Sequence, residues 1–156
     1  MTDQLQPGDH APAFDLASDG EKNLSSSDLQ GKTVVLYFYP KDDTPGCTNQ
    51  AKGFSALSAD LAKAGAVVIG VSKDSVASHK RFRAKHELTI ALGSDPEGAT
   101  IEAYGAWVEK SMYGRSYMGI ERSTFLIDGS GVVRKVWRKV KVPGHAEAVL
   151  AEIKAL

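Results

Sequence analysis

Two unbroken apolar runs, Thr33–Tyr39 (TVVLYFY) and Ala66–Ser72 (AVVIGVS), constrain this chain more than any other feature it carries. Both are rich in β-branched and aromatic residues without polar alternation, which is how strands covered on both faces read. They belong at the centre of a sheet. Between them Ala51, Phe54, Leu57, Leu61 and Ala64 recur at spacings of three and four, which predicts one helix with a single apolar stripe. Strand, helix and strand make a βαβ unit, whose crossover is right-handed.

The remaining segments extend that unit. Asp74 or Ser75 can cap a helix running to about His86, with Val76 and Phe82 inward and a heavily basic outer face. Leu88–Leu92 predicts a short strand and Glu97–Tyr104 a brief helix. Gly114, Gly119 and scattered aromatics then mark a long loop, whose length points to a role in a site. Ser123–Ile127 and Val132–Val136 flank Asp-Gly-Ser-Gly at 128–131, where glycine supplies the positive φ that hairpin turns demand. His145–Leu156 closes the chain as an amphipathic helix. This order describes an α/β, thioredoxin-like fold: a central mixed sheet flanked by helices on both faces, with a small N-terminal β extension. No repeat and no low-complexity linker divides the 156 residues, so one domain spanning 1–156 is expected.

Charge and hydropathy remove several partners. Nineteen Lys plus Arg balance nineteen Asp plus Glu, leaving no global field to draw nucleic acid or an anionic membrane. The basic and aromatic run Val133–Val142 (VRKVWRKVKV) reads instead as a hairpin strand whose charges face solvent and discourage edge pairing. The longest apolar stretches, such as Val34–Tyr39 and Ala64–Val71, fall far short of the roughly 18 residues a membrane span needs. The start, MTDQLQP, has neither the basic nor the apolar region of a signal peptide, and one cysteine makes no disulfide framework. A reducing, cytoplasmic location is expected.

Chemistry concentrates in Pro40-Lys-Asp-Asp-Thr44-Pro45-Gly46-Cys47, between the first core strand and its helix. Thr44 before Pro45 reads as an N-cap with proline at the first helical position, where its missing N–H costs nothing. Cys47 then lies in the first helical turn, near unpaired backbone N–H groups and the positive end of the helix dipole, which stabilise thiolate relative to thiol. The bland alternative is a small buried hydrophobe. A Cys-dependent acyl hydrolase with a histidine base and a redox-inert binding module are the other readings. His79 and His86, seven residues and about 10.5 Å apart along one helix, are too far apart to share a metal ion. Phosphate-loop, dinucleotide and Cys-x-x-Cys motifs are absent.

The segment VVLYFYPKDDTPGCTNQA at 34–51 holds Pro-x-x-x-Thr-x-x-Cys and resembles the peroxiredoxins, within them the Q-type or bacterioferritin comigratory proteins. Pro7-Gly-Asp9 with Ala11-Pro12, the GVSKDS-x-x-SHKRF run from Gly70, Tyr104-Gly105 and Arg122–Asp128 (RSTFLID) carry the resemblance along almost the whole chain. It implies a thiol peroxidase, acting on hydrogen peroxide and organic hydroperoxides without metal or organic cofactor. Cys47 would be the nucleophile and form a sulfenic acid. Thr44, Gly46 and Arg122 would bind the peroxide, and Pro40 would shield the thiolate from water. A guanidinium beside sulfur favours thiolate and donates to the oxygen on which charge grows as the O–O bond breaks.

Many such relatives carry a resolving cysteine five residues after the first or on the following helix, where this chain has Lys52 and Arg83. It therefore resembles a one-cysteine variant, whose sulfenic acid an external thiol must reduce. Thioredoxin, glutathione with a glutaredoxin, and other thiols are the candidate reductants. The resemblance implies a monomer, with a Cys47–Cys47 dimer as one fate of the oxidised chain.

Overall fold

The structure, a computed structural model, describes residues 4–20 and 22–156. Met1, Thr2 and Asp3, the first part of the start read above for a leader, lie outside the described residues. The chain opens with a short hairpin, β1 (Asp15–Ser18) and β2 (Leu24–Ser25), and a 3-10 turn at Ser26–Leu29. β3 (Thr33–Phe38), α1 (Pro45–Ala56), α2 (Ser58–Lys63) and β4 (Ala66–Ser72) form the crossover unit. α3 (Val76–His86), β5 (Ala91–Ser94) and α4 (Ala99–Ala103) follow. The chain ends with β6 (Trp107–Met112), β7 (Arg115–Ile120), β8 (Ser123–Ile127), β9 (Val133–Trp137) and α5 (His145–Lys154).

Seven strands form one mixed sheet in the order β2-β1-β5-β4-β3-β8-β9. β3 is parallel to β4, with Val35 opposite Val68, and antiparallel to β8, with Val35 opposite Leu126. Its backbone is thus satisfied on both edges. On one face Val35, Tyr37 and Tyr39 pack with Ala51, Phe54, Leu61, Phe82, Val149 and Ile153 from α1, α2, α3 and α5. On the other, Leu36 and Phe38 pack with Ile69, Ile101, Tyr104, Ile120 and Phe125. Burial on both faces is what the unbroken apolar runs predict.

Several expected elements need correction. The helix of 51–64 breaks at Leu57 (φ −98°, ψ 11°), because Ser58 Oγ donates to the Ser55 carbonyl at 2.7 Å and takes an acceptor the helix would otherwise use. The strand expected at Leu88–Leu92 forms as β5, Ala91–Ser94; the carbonyls of Leu88 and Ile90 accept hydrogen bonds from the Arg83 guanidinium instead of a sheet neighbour. The expected long loop is a hairpin, β6 paired with β7, turned through Tyr113 (φ +52°) and Gly114 (φ +77°). α4 is shorter than Glu97–Tyr104, and α5 stops at Lys154. In the basic run, Arg138 turns inward, its guanidinium 5.4 Å from the Phe125 ring and donating to Gly105 O at 3.4 Å. On α3 Val76 is only half-buried; His79 and Phe82 are the buried pair.

Candidate active site

β3 delivers its last residues to the carboxyl edge of the sheet, and the loop 39–44 turns there into α1. Thr44 is extended (φ −91°, ψ 155°) and Pro45 starts the helix, so the N-cap position is the expected one. Its side chain behaves differently. Thr44 Oγ1 donates to the Lys41 carbonyl at 2.9 Å and caps no helical N–H. Thr48 N reaches Thr44 O at 2.8 Å, and the N–H groups before it are the orphan donors of any helix start. Cys47 sits among them, a free thiol with 1% exposure.

Arg122 arrives from across the sheet. Antiparallel pairing sets Ser123 opposite Phe38, so the residue before β8 falls beside the end of β3. Val140 N bonds the Arg122 carbonyl at 3.0 Å and fixes that backbone. The half-buried guanidinium then spans two residues of α1: Nη2 donates to Cys47 Sγ at 3.3 Å and Nη1 to Gln50 Oε1 at 2.6 Å. The surface position that composition suggests for an arginine is not the one it takes. A Cβ on Gly46 would lie 3.2 Å from Arg122 Nη2, so glycine leaves the guanidinium its place. Pro40 is exposed at the rim. The structure therefore brings Cys47, Arg122 and Gly46 into contact, with Thr44 one helical turn before the sulfur.

Sequence reasoning missed three groups. Gln50 lies three residues after Cys47 on the same helix face, a spacing that could have flagged it. It is buried and holds the guanidinium, while its Nε2 has no partner. Tyr37 is buried under α1, stacked on Phe54 at 5.1 Å, its ring over Gly70 where a Cβ would come within 2.7 Å. Burial, then the neighbouring Cys47 charge, push its phenol above the ordinary range, and its hydroxyl has no partner. The third group is Asp42 with its donors. Tyr39 Oη (2.6 Å), His79 Nδ1 (2.7 Å) and Ser78 Oγ (2.8 Å) converge on its carboxylate. Burial works against that charge, but the hydrogen bonds from His79 and Tyr39 prevail and hold Asp42 below the usual carboxylate range.

None of the four histidines serves as a base to Cys47. His79 is bonded to Asp42, His86 Nε2 to Asp43 at 2.7 Å, and His145 Nε2 to Thr124 at 2.8 Å; His10 lies in an isolated bridge with Val132. Burial, then repulsion by Arg122, lowers the His145 imidazole to about 4. The described side-chain hydrogen bond to sulfur comes from Arg122. That geometry removes the Cys-His hydrolase.

A free cysteine in the first turn of a helix, at the carboxyl edge of a thioredoxin-like sheet and faced by a guanidinium, defines the class of thiol-based peroxidases. Residues 7–136 match the AhpC/TSA family. The chain is 50% identical over 149 residues to a putative peroxiredoxin bcp of Coxiella burnetii, covering 96% of this chain and 99% of that protein. Against the peroxiredoxin Bcp of Bacillus subtilis it is 46% identical, covering 96% of each. The solved bacterioferritin comigratory protein of Xanthomonas campestris, studied for alkyl peroxide reduction, superposes with a TM-score of 0.87 at 47% identity over 91% of this chain and 90% of that one. A mutant of peroxiredoxin Q from Xylella fastidiosa reaches 0.92 at 40% identity, covering 99% and 98%. The chain belongs to the AhpC/TSA family, among its Bcp or Q-type peroxiredoxins, and is a thiol-dependent peroxidase that reduces peroxides through a peroxidatic cysteine.

Proposed function

We propose that Cys47 thiolate attacks one oxygen of hydrogen peroxide or an organic hydroperoxide. The S–O bond forms as the O–O bond breaks, and the departing oxygen leaves with the electron pair and takes a proton to become water or alcohol. Sulfur is oxidised to sulfenic acid as the peroxide is reduced. The observation that carries this assignment is the 3.3 Å hydrogen bond from Arg122 Nη2 to Sγ, which sets a fixed cation where negative charge accumulates. Thr44 binds the incoming peroxide: its hydroxyl proton is committed to Lys41 O, so its lone pairs are free to accept the peroxide O–H. Gly46 shares this subsite, and Pro40 covers its rim against water.

Recycling uses an external thiol. The Xanthomonas campestris relative is known as two different Cys-to-Ser mutants and so has at least two cysteines; this chain has one. A first thiolate displaces water from the sulfenic acid to give a mixed disulfide, and a second releases Cys47 as thiolate. Thioredoxin, glutathione with glutaredoxin, and another small thiol are the candidate donors. One domain of residues 1–156, a monomer and a cytoplasmic location complete the reading; a reducing compartment suits chemistry that runs through one free thiol, and among the described residues no helix is long and apolar enough to cross a membrane.

The test is peroxide consumption with each reductant in turn, beside intact mass after one equivalent of peroxide without reductant. The expected products are Cys47 carrying one oxygen, trapped by dimedone, and a Cys47-linked dimer at high protein concentration. Oxidation that leaves neither would overturn the one-cysteine cycle, and turnover by Cys47→Ser would overturn the nucleophile.

A further inference from the structure

His79 is fully buried on the face of α3 that meets the catalytic loop. Its Nε2 lies 3.0 Å from the Gly93 carbonyl oxygen, which can only accept, so Nε2 carries a proton. Its Nδ1 lies 2.7 Å from Asp42 Oδ2. The hydroxyls of Tyr39 and Ser78 also donate to that carboxylate, an arrangement suited to the ionised form. An imidazole donating from both nitrogens is an imidazolium. Burial lowers its affinity for the second proton, but the hydrogen bond and charge of Asp42 and the Gly93 carbonyl raise it further, leaving His79 above the usual histidine range.

The polar groups facing His79 either favour that charge or are themselves neutral. Asp42 comes from the loop, Asp74 from the turn before α3, the Gly93 carbonyl from β5, and Tyr39, whose phenol burial keeps neutral, from the end of β3. The nearby cation Arg83 is paired with Asp19 on the β1 side, and Lys80 is exposed. Asp74 Oδ2 in turn accepts from Asp42 N at 2.8 Å, so backbone and side chain of Asp42 are both held.

We propose that His79 is a positioning residue for peroxide reduction: as a buried imidazolium it fixes Asp42, and through it the loop Pro40–Thr44, in the geometry that sets Thr44 beside the sulfur. Release of the Nδ1 proton turns a donor into a lone pair facing a buried carboxylate, which costs far more than one ordinary hydrogen bond. The sign follows from linkage. A histidine whose affinity for protons is raised by folding stabilises the fold fully below its ordinary value, and that contribution is lost as pH climbs through the raised folded value. The loop therefore loosens on the alkaline side, and the rate of Cys47 oxidation falls there.

The experiment uses the whole chain with 15N-labelled histidine. Both ring nitrogens of His79 should show imidazolium shifts near pH 8, where ordinary histidines are neutral. A neutral tautomer there overturns the proposal, whether or not the protein consumes peroxide. The second measurement is the pH profile of the peroxide rate constant. His79→Asn keeps a donor toward Asp42 without a titrating proton. It should lower the rate about tenfold and abolish the alkaline decline, and it should melt below the parent at pH values under 7, where the imidazolium contributes its full stabilisation, with the gap closing on the alkaline side. An alkaline decline that persists with the parental midpoint overturns the proposal. Asp42→Asn, which removes the anion and leaves the histidine, should return His79 to ordinary titration; imidazolium shifts unchanged in that variant also overturn it.

Discussion

Gly46→Ala separates stability from catalysis in this site. Gly46 is not among the positive-φ glycines, so its backbone accepts an alanine without strain. In the unfolded chain alanine has less freedom than glycine, which by itself stabilises the fold by about 0.4–1 kcal/mol. The new Cβ meets Arg122 Nη2 at 3.2 Å and Cζ at 3.8 Å, so the guanidinium must move by a few tenths of an ångström. It cannot slide along the helix freely, because Gln50 Oε1 holds Nη1 at 2.6 Å. The displaced bond is the one to Sγ at 3.3 Å. A charge-assisted hydrogen bond contributes about 1.5–3 kcal/mol, and losing half of the upper figure, about 1.5 kcal/mol, slows the reaction about tenfold. The entropic gain and the weakened bond nearly offset one another in stability, so the variant should melt close to the parental temperature, yet oxidise about ten times more slowly in stopped-flow with peroxide. In an Arg122→Ala background the same substitution should change the rate by less than about twofold, since the group it displaces is gone. A parental rate in Gly46→Ala, or the full tenfold loss in the Arg122→Ala background, would refute the argument.

Thr44→Val should leave melting within about 1 kcal/mol of the parent, because the hydroxyl caps no helical N–H, while the peroxide rate constant falls by at least about tenfold; calorimetry beside stopped-flow checks both. Tyr37→Phe removes a buried hydroxyl without a partner, and denaturant titration should show a gain of up to about 1 kcal/mol in place of the usual loss for a core substitution. His145 runs opposite to His79. Its proton affinity is depressed by folding to about 4 from 6.5, so the unfolded chain binds protons more readily and stability falls as pH drops from about 6.5 toward 4. Urea midpoints against pH should show that acid decline, and His145→Gln should flatten it.

The parts of the fold that sequence made legible are those where one strong signal dictates structure. Thr33–Phe38 and Ala66–Ser72 are buried on both sides and read as such, and Ser75 caps α3 through its hydroxyl to Ser78 N at 3.1 Å. What was illegible depended on competition between groups distant in sequence. Whether Leu88 and Ile90 join a ladder is decided by an arginine five and seven residues earlier. The hairpin β6–β7 turns on Tyr113 at φ +52°, a residue with no special tolerance of that region, so its turn carries half the usual glycine signal. In the site, the motif placed Cys47 and Thr44, and Arg122 needed the resemblance. Gln50 and His79 escaped because a glutamine on a helix and a histidine on a basic helix face have ordinary solvent-facing readings.

The loop that carries the chemistry has no regular structure of its own between Phe38 and Pro45, so each of its residues must be held from elsewhere. Asp42 is held by Tyr39, Ser78 and His79, and its N–H by Asp74. Asp43, forced to φ +60°, is held by Lys85 and His86 at 2.7 Å each. Thr44 closes on its own loop through Lys41, as Tyr39 does through Asp42. The four side chains Ser78, His79, Lys85 and His86 that grip Asp42 and Asp43 all come from α3, and Arg83 ties the same helix to Asp19. The loop can consequently keep its shape only while α3 is docked. Opening α3 removes the donors to Asp42 and Asp43 together, while Arg122, anchored through Val140 and Gln50, stays in place. The guanidinium beside the sulfur and the Thr44 hydroxyl are thus supported by two separate parts of the fold, and α3 governs only the second.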